Sequence, residues 1–96
     1  MTDHTRDLPE DELREFFALS GRGLRHLHDG EYESAISIYE QLNRIMFFPT
    51  NYLFLARAYA STGRVCDALR TLEAVLEREP QLEEVSQELS GITGDL

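Results

Sequence analysis

Ninety-six residues suffice for one hydrophobic core and leave little for a second, so the chain reads as a single domain. Its 42% apolar and 28% charged residues match ordinary folded proteins and exclude a disordered chain. Eighteen Asp and Glu against nine basic residues, all Arg, give a net charge of −9, which repels phosphate backbones and anionic membranes and excludes nucleic acid as an expected partner.

Residues 1–8 show no periodicity and are expected to form an N-terminal tail, with the domain at 9–93 and a short tail at 94–96. The acidic start lacks the basic-then-apolar order of a secretory leader. No run approaches the roughly twenty apolar residues that span a bilayer, and Cys66 alone makes no internal disulfide. A cytoplasmic location is expected, with no membrane contact.

The first helix is expected from Pro9, whose missing N–H costs nothing in a first turn, with Glu10, Asp11, Glu12 and Glu15 facing the positive end of the dipole. Leu13, Phe16, Phe17, Leu24 and Leu27 form its apolar face, with Ser20 and Gly23 as small positions. Asp29-Gly30 ends it, and a second helix over Glu31 to Ile45 places Tyr32, Ala35, Ile36, Tyr39 and Leu42 on one side. Pro49 restarts the chain in a third helix through Ser61, and Thr62-Gly63 breaks it. A fourth helix spans Val65 to Arg78, with Ala68, Leu69, Leu72, Val75 and Leu76 inward, and Pro80 follows. A fifth, Gln81 to Ile92, carries Leu82, Val85, Leu89 and Ile92 at helical spacing.

Catalytic and metal chemistry find no constellation. His26 and His28 stand two apart on a helix and point to opposite sides, so they share no metal. Cys66 is expected to be a half-buried structural thiol. Glu77, Glu79, Glu83, Glu84 and Glu88 read as a solvated face with no base or nucleophile beside them. Gly21 and Gly23 lie inside a helix and make no phosphate loop. No enzyme, cofactor or metal is expected.

The informative feature is an internal repeat. Gly30-Glu31-Tyr32-Glu33-Ser34-Ala35-Ile36 superposes on Gly63-Arg64-Val65-Cys66-Asp67-Ala68-Leu69 at a spacing of 33. In the same register Tyr39 falls on Leu72, Leu42 on Val75, Leu19 on Tyr52, Gly23 on Ala56 and His26 on Tyr59. The second unit, with Tyr52, Leu55, Ala56, Tyr59, Gly63, Ala68, Leu72, Val75 and Pro80, resembles the tetratricopeptide repeat. The first is degenerate, with Arg22 in the Leu slot and His26 in the Tyr slot.

The resemblance implies an all-α array of helical hairpins: two repeats over about residues 16–80 plus a C-terminal capping helix, five helices in all. It further implies a protein-binding module whose concave groove is lined by Phe17, Ser20, Leu24 and Leu27 of the first unit and Leu53, Phe54, Arg57 and Ala60 of the second. An apolar or amphipathic segment of a partner would lie there, with Arg57 taking one acidic group. Met46, Phe47 and Phe48 crowd a helix end with apolar bulk, and either close the loop inward or form a second partner surface. Two repeats fall short of the three that usually stand alone, so pairing with a small helical protein or a second copy is expected. Small acidic chains of this build resemble type III secretion chaperones for needle or translocator subunits; the alternative is an adaptor or scaffold with no secretion role.

Overall fold

Glycine closes the first and third helices, proline opens the third and follows the fourth, and the connections are short enough that consecutive helices lie antiparallel. The computed structural model describes residues 8–94, so the expected tails fall outside the described residues except for Leu8 and Gly94. Helix α1 (Glu10–His28) follows Pro9 instead of starting on it: Pro9 is extended (φ −56°, ψ 156°), and its carbonyl accepts the Leu13 N–H at 2.8 Å. Acidic residues fill the first turn of α1 and Arg25 stands in its last, both favourable to the helix dipole.

The turn after α1 recurs one repeat later. Gly30 has φ +82°, its N–H reaches the Leu27 carbonyl at 3.2 Å, and the Glu31 N–H reaches His26 at 2.8 Å. Gly63 has φ +83°, with N–H bonds from Gly63 to Ala60 at 3.1 Å and from Arg64 to Tyr59 at 2.8 Å. Both glycines occupy the left-handed region that closes helix ends without a Cβ clash.

Helix α2 (Tyr32–Ile45) is joined by the extended residues 46–48 to α3 (Pro49–Ser61), which begins on its proline. Helix α4 (Val65–Arg78) leads into a turn in which the Leu82 N–H meets the Glu79 carbonyl at 3.3 Å. Pro80 and Gln81 are used in that turn, so α5 (Glu83–Gly94) starts two residues later than its periodicity implies. There is no strand among the described residues.

Each helix packs on the next, and α3 also touches α1 and α5. The result is two hairpins stacked side by side with α5 laid against the second. Phe16, Ala35, Ile36, Tyr39, Leu42, Met46, Leu55 and Ala58 form one buried cluster; Leu53, Ala56, Ala68, Leu72, Val75 and Val85 form the other. Helix α3 serves both, with Leu55 and Ala58 toward the first and Leu53 and Ala56 toward the second. A helix covered on two sides is apolar around most of its girth. Leu42, Leu72 and Val75 are fully buried, each contributing about 1.5–3 kcal/mol by burial.

Close approach of the helices fixes the small positions. Ala35, Ala56 and Ala68 have no exposed surface. A Cβ added to Gly23 would stand 2.9 Å from Tyr39 Cζ and 3.1 Å from Ile38 Cγ2. The structure also explains why the first unit is degenerate. Leu55 packs into the cluster of the preceding hairpin and Tyr59 donates to Glu40 of α2, whereas α1 has no described hairpin before it. Arg22 is therefore exposed, and His26 is half-exposed and paired with Glu31 at 2.6 Å.

Candidate protein-binding face

Where α1 and α3 lie side by side, polar contacts fix their registry. The Ser20 hydroxyl donates to Asn51 Oδ1 at 2.5 Å, and the Tyr39 hydroxyl donates to the Ser20 carbonyl at 3.1 Å. Asn51 is fully buried, and its Nδ2 has no hydrogen-bond partner among the described residues. Burial pushes the Tyr39 phenol up to about 12.

Around this seam the eight groove residues separate. Phe17 and Leu24, two turns apart on α1, are 40% and 43% exposed. Ser20 belongs to the seam just described. Leu27, Arg57 and Ala60 come together with Tyr32, Ser61 and Glu88 around an open cavity of about 430 Å³. Phe54 is half-buried, its ring 5.9 Å from that of Tyr39. Leu53 is a correction: it is 7% exposed and belongs to the α3–α4–α5 core, because α5 covers the side of α3 on which it projects.

Arg57 is also corrected. Its guanidinium lies 5.7 Å from the Phe54 ring centroid, and Nε donates to Glu88 Oε1 at 3.1 Å. An acidic group from outside must compete with Glu88, which is an ion-pair partner across α3 and α5 and not part of a merely solvated face. Tyr32, Ser61 and Glu88 escaped the sequence reading because their proximity depends on how hairpins stack. For Glu88 alone there is a regularity, a separation of 31 from Arg57 that recurs in Ser20–Asn51 and Glu33–Arg64.

Met46, Phe47 and Phe48 go to three different places. Met46 is 6% exposed within the first cluster, so it is core and presents no partner surface. Phe47 packs on the second cluster, with its ring 5.3 Å from Tyr52 and the Arg78 guanidinium 3.9 Å above it. Phe48 meets Phe17 edge-on at 5.1 Å and Phe16 at 6.3 Å.

On the opposite side, α2 and α4 flank a polar depression of about 460 Å³ floored by Tyr52, Leu55 and Tyr59, with Glu40, Asn43, Arg44, Asp67 and Arg70 on its walls. Burial, then the hydrogen bond to Glu40 and the carboxylates of Glu40 and Asp67, raise the Tyr59 phenol to about 12. Cys66 is exposed, contrary to the half-buried thiol expected, because it lies in the first turn of α4 on its outward side. No group of three or more His, Cys, Asp or Glu able to hold a metal occurs among the described residues, and none of their helices is long and apolar enough to cross a membrane.

The tetratricopeptide repeat family model matches residues 52–86, which cover nearly all of α3, all of α4 and the first turn of α5. No curated protein and no solved structure matches the chain. Residues 52–86 are therefore similar to a tetratricopeptide repeat, and the hairpin before them repeats the same turn and the same buried alanine.

Proposed function

We propose that this tetratricopeptide-repeat chain holds an apolar segment of a partner protein along the face shared by α1 and α3, acting as a small stoichiometric chaperone. The observation that carries this reading is the exposure of Phe17 and Leu24 on α1, the helix whose Leu27 lines the cavity with Arg57 and Ala60 of α3. Apolar side chains that join into one exposed surface mark an interaction site, and an amphipathic segment lays its apolar face into such a surface. The net charge of −9 keeps such a complex soluble. By its resemblance to type III secretion chaperones, the client would be a needle or translocator subunit, held in the cytoplasm before export and shared with a second small helical protein.

An adaptor role without secretion is the second reading, and α5 favours it. Val85, 2% exposed, seals the second cluster, which gives the array an end of its own without a partner. Co-expression separates the two. A client protein that is soluble only with this chain, and lost with Leu24→Glu, supports the chaperone; a partner that is folded and soluble alone supports the adaptor. Leu24 suits the test because it is exposed, whereas Phe54→Glu would put a charge against Tyr39.

A further inference from the structure

The register of 33 residues relates the surroundings of the two hairpins as well as their helices, and in one place the second copy is filled while the first holds no side chain among the described residues. In the second unit Phe47 fills a recess beside Tyr52, under Arg78, on the cluster that contains Val75. Thirty-three residues earlier these three positions are Leu19, Ile45 and Leu42, and all three line a cleft of about 190 Å³, with Leu8, Phe16 and the acidic Glu12 and Glu15 completing it. The residue in register with Phe47 is Arg14, which is exposed and paired with Glu10 at 3.2 Å. No side chain at that register position plays the part of Phe47.

The cleft is too small for a cofactor-sized ligand, which needs roughly 300 Å³ or more, and suits one side chain. Its apolar character is not a general property of this side of the first hairpin. Where Leu55 and Tyr59 meet a neighbouring hairpin, the equivalent Arg22 and His26 have become polar, yet Ile45 remains apolar at 53% exposure. The charge pattern is inverted as well. Phe47 receives a cation from Arg78, but the position equivalent to Arg78 is Ile45 and the rim is Glu12 and Glu15. An occupant that brings its own positive charge satisfies both.

We propose that this cleft docks a single large apolar side chain, Phe or Leu, carried on an extended basic segment of a partner protein, at a site separate from the α1–α3 face. The extended form follows from Met46 and Phe48, whose extended backbone presents Phe47 to the equivalent recess.

The probe is a fluorescein-labelled peptide of two lysines followed by residues Arg44 to Pro49, titrated with the full chain and followed by anisotropy. Saturable binding is expected, weakened at least about tenfold by Ile45→Lys in the protein or by alanine at the Phe47 position of the peptide. Glu12→Gln with Glu15→Gln should weaken it about threefold at low salt and flatten its salt dependence. Leu24→Glu should leave it unchanged, which separates this site from the α1–α3 face. Ile45 is exposed, so Ile45→Lys should melt with the wild type. Equal affinity for the Ile45→Lys protein, or for a peptide with glutamates in place of the lysines, would overturn the proposal. So would a wild-type dimer in sedimentation equilibrium that Ile45→Lys converts to monomer, since the cleft would then belong to a second copy.

Discussion

Replacing Ser20 and Asn51 singly and together should reveal an unusual order of stabilities. Asn51 is fully buried, accepts one hydrogen bond from Ser20 at 2.5 Å and leaves Nδ2 without a partner among the described residues. Ser20→Ala removes the donor and strands a second buried atom of the same amide. That should cost about 1–3 kcal/mol, offset by up to about 0.5 kcal/mol from the better helix propensity of alanine. Asn51→Leu instead removes the whole amide, including the atom already unpaired, while the half-buried Ser20 hydroxyl can turn to water. Its effect should lie within about 1 kcal/mol of zero and can be stabilising. The double variant should be no less stable than Asn51→Leu, giving a coupling of about 1–2 kcal/mol. Urea unfolding followed at 222 nm measures all four proteins. A loss above about 2 kcal/mol for Asn51→Leu, with none for Ser20→Ala, would refute the reasoning and mean that Nδ2 has a stabilising partner.

Other expectations rest on single positions. Gly23→Val should destabilise by about 1–3 kcal/mol through overpacking against Tyr39, whereas Gly21→Ala should stabilise by about 0.5–1 kcal/mol because an added Cβ there meets nothing within 4 Å; thermal melts of the two distinguish them. Tyr39 and Tyr59 both titrate near 12 in the folded chain against 10.0 unfolded. The folded state thus holds more protons in that window, so the contribution of these two groups to stability should be fully present below pH 10 and be lost as pH rises toward 12. Absorbance at about 295 nm with circular dichroism should show tyrosinate formation coinciding with unfolding, and Tyr59→Phe should retain more of its stability there. Glu88→Gln should free Arg57 and strengthen binding of a partner segment that carries a carboxylate about two- to fivefold, read by calorimetry.

The helices were legible because their ends are written in residues with few conformational options. Gly30, Pro49 and Gly63 stand at helix boundaries as expected, and α3 and α4 have the expected bounds. Helix α5 was placed two residues early because Gln81 fits a helical pattern and a proline turn equally well. The face was harder to read. Helix α3 is apolar on several sides, and periodicity alone does not tell which apolar side another helix covers, so Leu53 looked the same as Phe54. Pairing of Arg57 with Glu88 depends on the stacking of α5, a relation between elements that no local pattern contains. The degeneracy of the first unit, by contrast, was visible as Arg22 and His26, and became intelligible only when that side of the first hairpin was seen to carry no neighbouring helix among the described residues.

The claim that the chain works through the α1–α3 face is tested most directly by site-specific photocrosslinking in cells. A benzophenone side chain placed at Leu24 on that face should capture one partner protein, and one placed at Thr71, beside the polar depression between α2 and α4, should capture none. Capture at position 71 with none at position 24 would contradict it.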